Sequence, residues 1–196
     1  MIAIVKYNAG NVFSVMCAMQ RLGVDAVVTD DHDTLRNADK VIFPGVGEAS
    51  TAMGYLKEKG LDTLIASLKQ PVLGICIGMQ LMCRHSEEGD VDGLGIFDTC
   101  VKRFDNSECP QHKIPHVGWN TVEAKVNGLV DAQVSGRHVY YVHSYYAEPC
   151  QHTEAVTDYI VPFSAVLHRD NFYATQFHPE KSGSVGEMIL RNFLDL

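Results

Sequence analysis

The chain has 196 residues, 46% hydrophobic and 20% charged, enough to bury one substantial core in an ordinary globular protein. A formal charge of −8 argues against non-specific binding to nucleic acid or to an anionic membrane surface. No apolar run is long enough to span a bilayer and no signal-peptide pattern opens the chain. The six cysteines lack framework spacing and read as reduced thiols of a cytoplasmic protein.

Ile2–Tyr7 reads as a buried strand, followed by a turn at Asn8-Ala9-Gly10-Asn11 with Asn11 as N-cap. Val12, Val15, Met16, Met19 and Leu22 recur at helical spacing, and Gly23 ends that helix. Ala26–Thr29 is a second strand. Asp30-Asp31-His32-Asp33 could imitate a metal site but reads as a solvated turn. Lys40–Phe43 is a third strand, followed by Pro44-Gly45-Val46-Gly47, and helices are expected from Glu48 to Lys59 and from Leu61 to Leu68. An apolar run from Pro71 to Ile75 makes a fourth strand, with a helix after Gly78. Such alternation predicts an α/β fold with a doubly wound, mostly parallel central sheet flanked by helices, whose active crevice lies at the carboxyl ends of its strands.

Beyond Gly89 the texture becomes β-rich. Strands are expected at Leu94–Phe97, Val117–Thr121, Val139–Val142, Ala155–Thr157, Ser164–Leu167 and Phe172–Phe177, and a helix at Gly183–Leu196. These read as extra, partly antiparallel strands on the α/β core. No linker, repeat or low-complexity tract interrupts them, so residues 1–196 are taken as a single domain.

Cys76 stands at the join between the fourth strand and its helix, inside Gly74-Ile75-Cys76-Ile77-Gly78. That is a nucleophile elbow with sulfur in place of a hydroxyl, and the free N–H groups at the helix start favour thiolate. A cysteine nucleophile needs a base, and the base an orienting group. Of the nine histidines, His178 in Phe177-His178-Pro179-Glu180 stands at the end of a strand-like run, with Glu180 within reach of its imidazole. His143 is the second choice. Cys109, His112 and His116 have half the spacing of a zinc site, but no fourth ligand stands nearby, so no metal is expected.

Pro44-Gly45-Val46-Gly47, Gly74-Ile75-Cys76-Ile77-Gly78-Met79-Gln80 and Phe177-His178-Pro179-Glu180 together resemble the class I, triad-type glutamine amidotransferases over essentially the whole chain. Ser86-Glu87-Glu88-Gly89, Pro115-His116-Val117-Gly118-Trp119-Asn120, His143-Ser144-Tyr145-Tyr146 and Gln176-Phe177-His178-Pro179-Glu180-Lys181-Ser182 are similar to the glutaminase subunits (HisH type) of imidazole glycerol phosphate synthases. Two departures fall near the start: Lys6 stands where that family often has aspartate, and Asn8 where glycine is usual.

The resemblance implies a flavodoxin-like fold and hydrolysis of L-glutamine by a Cys76–His178–Glu180 triad without a cofactor. It implies an oxyanion hole from the backbone N–H groups of Ile77 and of the Val46–Gly47 segment. Gly45, Gly47, Gln80, Glu88, Ser144 and Tyr145 would hold the glutamine. Ammonia would pass to a (β/α)8-barrel cyclase subunit in a heterodimer, with Asn11, Trp119 and Lys181 at the interface and neither nucleic acid nor membrane as partner. Alternatives at this level are a cysteine hydrolase of another kind, a non-enzymatic regulatory module, and a class I amidotransferase serving a different synthase. Co-purification of the synthase subunit would discriminate among them.

Overall fold

Every residue of the first strand, β1 (Ile2–Val5), is buried, as a short apolar run covered on both faces must be. The chain continues through α1 (Val12–Arg21), β2 (Ala26–Thr29), α2 (His32–Asn37), β3 (Lys40–Phe43), α3 (Ala49–Lys59), α4 (Leu61–Ser67), β4 (Val72–Ile75) and α5 (Ile77–Met82). The computed structural model describes residues 1–7, 11–125 and 128–196, so the turn expected at Asn8-Ala9-Gly10 lies outside the described residues. The second half contributes β5 (Cys83–Ser86), β6 (Val91–Asp92), β7 (Phe97–Arg103), β8 (His116–Ala124), β9 (Arg137–His143) and β10 (Tyr145–Ala147). Then come β11 (Thr153–Tyr159), β12 (Val161–Arg169), β13 (Phe172–Thr175), a single 3-10 turn at Pro179–Lys181, and α6 (Gly183–Leu194).

The main sheet has nine strands in the order β2-β1-β3-β4-β13-β12-β11-β8-β9. From β2 to β13 neighbours run parallel, and from β13 to β9 antiparallel. A smaller sheet has the order β10-β7-β5-β6. The sheet's period of two divides the core. Ile2, Ile4, Ile42, Leu73 and Ile75 face Val15 and Met19 of α1 and Ile189 and Phe193 of α6. Ala3, Val5, Val41, Phe43 and Val72 face Met53 and Leu56 of α3 and Leu64 of α4, and the small sheet adds Phe97 and Val101 there.

Register puts three chain segments side by side. Phe43 of β3 pairs with Gly74 of β4, and Thr175 of β13 pairs with Ile75. The peptide N–H of Cys76 donates to the Thr175 carbonyl at 2.8 Å. The segments leaving these strands, residues 44–47, Cys76 and residues 176–180, therefore emerge together at the carboxyl end of the parallel ladder.

Two local readings need correction. The segment read as a solvated turn at residues 30–33 runs into a helix at His32: the Asp31 carboxylate accepts from the Thr34 N–H at 2.8 Å as the N-cap of α2, and Leu35 anchors that helix in the core. Asn11 stands at the N-cap position of α1, yet its side chain makes no capping bond. Its amide donates to Glu180 Oε1 instead.

Candidate active site

Cys76 sits at the start of α5 with φ 53° and ψ −107°. A left-handed φ at a non-glycine residue is a strained backbone position typical of functional sites. The elbow glycines relieve crowding around it. A Cβ on Gly78 would come within 2.0 Å of the Phe43 carbonyl oxygen, and one on Gly74 within 3.0 Å of the Met79 backbone nitrogen. The sulfur is thereby held at the mouth of the sheet, with Cys76 only 7% exposed.

His178 is fully buried, and its Nδ1 lies 2.8 Å from Glu180 Oε1. A carboxylate only accepts, so Nδ1 carries the proton and Nε2 is the nitrogen left for the sulfur. Nε2 has no hydrogen-bond partner among the described residues. Burial opposes a charge on this ring, but the Cys76 sulfur and the Glu180 carboxylate outweigh it and push the His178 pKa up to about 10. The imidazolium is thus the favoured form beside Cys76. The backbone holding the ring is fixed at both peptide groups: the His178 N–H donates to the Tyr140 carbonyl at 2.9 Å, and its carbonyl accepts from the Ser182 hydroxyl at 2.7 Å. Asn11 Nδ2 donates to Glu180 Oε1, a third contact that sequence reasoning did not foresee.

Beside the sulfur lies a cavity of about 310 Å³, lined by Val46, Gly47, Cys76, Ile77, Gln80, Glu88, Pro115, Val142, His143, Ser144 and Tyr145. That volume falls in the range of small-molecule sites, roughly 300–1,000 Å³. Glu88 is half-buried, and burial raises its carboxyl pKa, opposed by the N–H of Ala49, which donates to Glu88 Oε2 at 3.0 Å. A bound ammonium would relieve that desolvation. Residues 44–47 form a loop, not a strand. The Tyr7 hydroxyl donates to the Pro44 carbonyl. Tyr7 is buried, and burial and the nearby Cys76 raise its phenol pKa. Gly47 has φ +143°. Ile77 opens α5 with an N–H that the helix itself does not satisfy.

Most residues expected to hold substrate meet in this cavity. Gly45 does not line it; it packs behind, where an added Cβ would strike Ile77 Cγ2 and Tyr7 Oη. Of the residues expected at the interface, Asn11 alone has a side chain bonded to a triad residue among the described residues, Glu180. Lys181 follows Glu180 directly, and the Trp119 ring packs on Tyr140, whose carbonyl holds the His178 N–H. Phe13, 80% exposed, and Trp119, 56% exposed, are bare on this chain. His143 is not free to act as a base: Nδ1 bonds to the Tyr145 carbonyl at 2.8 Å and Nε2 to His116 at 3.0 Å. Burial drives its pKa down to about 3. That pairing also removes His116 from any set with Cys109 and His112, and no metal-ligating group of three stands among the described residues. Sequence reasoning gave no site role to Tyr7, Pro115, Val142 or Gln176, although Pro115 and Gln176 stand in segments that carry the resemblance. Gln176 carried a signal in preceding Phe177-His178, whereas Tyr7 and Val142 are visible only through the fold.

The family profile described as glutamine amidotransferase class-I matches residues 5–196. A Bacteroides thetaiotaomicron protein named imidazole glycerol phosphate synthase subunit HisH is 62% identical over 195 residues, covering 100% of this chain and 99% of its own. The Pasteurella multocida protein of that name is 44% identical over 99% of this chain and 97% of its own. Among solved structures, one titled glutamine amidotransferase superposes with a TM-score of 0.74 at 18% identity, covering 100% of this chain and 98% of its own. A putative GMP synthase component from Thermoplasma acidophilum superposes with a TM-score of 0.73 at 20% identity, covering 100% of this chain and 92% of its own. At those identities the structural matches establish the fold alone.

Proposed function

We propose that this chain, which belongs to the class I glutamine amidotransferase family, is the glutaminase subunit of an imidazole glycerol phosphate synthase of histidine biosynthesis. The observation that carries this reading is the juxtaposition of Cys76 with His178 and Glu180 beside the Glu88-bearing cavity. Identity of 62% along the full chain to a subunit of that name supports the choice of synthase.

In this mechanism the Cys76 thiolate attacks the side-chain amide carbon of glutamine. His178, protonated beside the sulfur, gives its proton to the departing ammonia, and a γ-glutamyl thioester remains on Cys76. Neutral His178 then takes a proton from water, the hydroxide attacks the thioester, and glutamate leaves as the thiolate and imidazolium are restored. Glu180 holds the tautomer that presents Nε2 to the sulfur. The tetrahedral oxyanion is met by the Ile77 N–H and by an N–H from Val46–Gly47, each such donor contributing about 3 kcal/mol to the lowering of the barrier. Glu88 receives the substrate ammonium, and Gln80, Ser144 and Tyr145 frame its amino-acid end.

Ammonia is a nucleophile only while unprotonated, so release to water at neutral pH would waste it. Docking of a (β/α)8-barrel cyclase subunit over Asn11, Trp119 and Lys181 provides an enclosed acceptor. The test is Cys76→Ala. Glutamine hydrolysis should vanish, whereas the complex with the barrel subunit should still form imidazole glycerol phosphate from added ammonium salt. Retained glutaminase activity in Cys76→Ala would remove this reading.

A further inference from the structure

One carbonyl sets the direction of a hydrogen-bonded chain that ends on the catalytic sulfur. The Tyr145 carbonyl oxygen can only accept. It takes the His143 Nδ1–H at 2.8 Å and a Gln80 Nε2–H at 2.9 Å. Gln80 must therefore turn its NH₂ toward Tyr145, and the other hydrogen of that group reaches Gln176 Oε1 at 3.0 Å. With its oxygen engaged there, Gln176 can present only its NH₂ on the far side, where Nε2 lies 3.7 Å from Cys76 Sγ. Gln176 is fully buried and Gln80 nearly so. Turning Gln80 would set its oxygen against the Tyr145 carbonyl, and turning Gln176 alone would set two NH₂ groups against each other.

The outward branch is equally determined. His143 Nε2 is an acceptor and takes the His116 Nδ1–H at 3.0 Å. His116 Nε2 then accepts from Asn120 Nδ2 at 3.5 Å. Both imidazoles are neutral in this arrangement, in agreement with burial, which pulls both below their ordinary pKa. The histidine pair thus holds the Tyr145 carbonyl from behind, and Gln80 hands its polarity inward.

We infer that Gln176 is a further catalytic residue, whose Nε2–H donates to the Cys76 thiolate, and that Gln80, Tyr145, His143 and His116 are positioning residues that fix this donor. The inference rests on Cys76 being the nucleophile. A neutral donor aimed at a sulfur anion stabilises the charged form over the thiol, and burial strengthens that preference. Removing the donor should slow formation of the thioester while leaving the residues around the substrate ammonium in place.

Gln176→Leu and Gln176→Met remove the donor with two different shapes, so a packing fault in one does not decide the matter. Each is assembled with the barrel subunit and assayed for glutamine-dependent kcat and KM. Iodoacetamide alkylation at Cys76 is followed against pH by peptide mass spectrometry. The other titratable side chains facing the sulfur region are His178, Tyr7, His143 and Glu88, all unchanged in both variants. The expected result is a roughly tenfold fall in kcat, an upward move of about one unit in the pH midpoint of alkylation, and little change in KM. Ammonium-dependent product formation should be unaltered. A merely structural role would lower stability without moving the alkylation midpoint, and an unmoved midpoint in a folded variant overturns the inference. If wild-type alkylation that abolishes glutaminase activity falls on another cysteine, the reading of Cys76 itself fails, a separate outcome.

Discussion

Gly47 offers an unusually clean perturbation of the proposed oxyanion loop. Its φ is +143°, a region open to glycine and strained for any residue with a Cβ, and an added Cβ would find no atom within 4 Å. Gly47→Ala therefore collides with nothing, and its whole effect is on the backbone. Holding alanine in that conformation costs about 1–3 kcal/mol. The loop can relax only by rotating φ, and rotation re-aims the peptide group that faces the cavity. If the strain is kept, each kcal/mol lowers Tm by about 2–4 °C for a chain of this size. If it is relieved, an oxyanion donor is lost, which lowers kcat by roughly 10²–10³-fold. The assay is glutaminase activity with the barrel subunit and its ligand present, alongside glutamine affinity and thermal melting. The expected outcome is a large fall in kcat, a change of only a few-fold in glutamine binding, and a modest loss of Tm. Full stimulated activity in Gly47→Ala would show that no peptide in this loop needs its glycine geometry and would refute the reasoning. Gly45→Ala is the contrast: its Cβ would come to 1.9 Å from Ile77 Cγ2 and 2.2 Å from Tyr7 Oη, so stability as well as rate should suffer.

Glu180→Gln should move the alkaline limb of the glutaminase pH profile downward, because the carboxylate helps to hold the His178 pKa up at about 10. A raised folded-state pKa stabilises the protein fully below the ordinary value near 6.5, and that contribution declines up to about pH 10 and is gone above it. The melting difference between wild type and Glu180→Gln should therefore be largest below about pH 6.5 and shrink toward pH 10, as thermal scans across that range would reveal. Trp119→Ala removes a ring that is 56% exposed on this chain, so it should leave Tm nearly unchanged and raise the Kd for the barrel subunit about 30-fold, or about 2 kcal/mol. Unchanged affinity by calorimetry would place the partner elsewhere.

The parallel half of the sheet was legible because its strands are short apolar runs, and α1 after β1 and α3 after β3 carry apolar residues at helical spacing. The elbow at Cys76 was legible for a different reason: Gly74 and Gly78 sit two residues either side, and the structure places a carbonyl or an amide where their Cβ atoms would be. What escaped was governed by contacts distant in sequence. Cys83-Arg84-His85-Ser86 has no apolar run, yet it becomes β5 because β7 and β6 pair with its two edges. Phe97–Arg103 was anticipated only at its first residue; its buried positions, Phe97, Thr99 and Val101, alternate as a half-covered strand should, but a threonine and a cysteine hide the pattern. The α2 cap at Asp31 was present in sequence as Asp followed three residues later by Thr34, and the surrounding charge disguised it. Glu88, Ser144 and Tyr145 were recognisable only through resemblance, since nothing local in a Glu-Glu-Gly or Ser-Tyr-Tyr segment announces a cavity.

The active centre divides into parts held by very different means. Cys76 and His178 leave adjacent strands whose ladder fixes the backbone immediately before them, by Cys76 N–H to Thr175 and by Gln176 N–H to Ala165 at 2.9 Å. A strained φ at the nucleophile can persist there because α5 and that ladder over-determine it. The loop at residues 44–47 has less holding it: the Tyr7 hydroxyl on Pro44 and the packing of Gly45 under Ile77. By these contacts, the proposed oxyanion loop is less firmly held than Cys76. The outer contacts follow the same division. Asn11 reaches Glu180, and Trp119 rests on the tyrosine that anchors His178, so the proposed partner face adjoins the rigid side of the centre. Tyr7 stands just past the end of β1, and its hydroxyl donates to the Pro44 carbonyl, which ties the loop to the core behind the cavity.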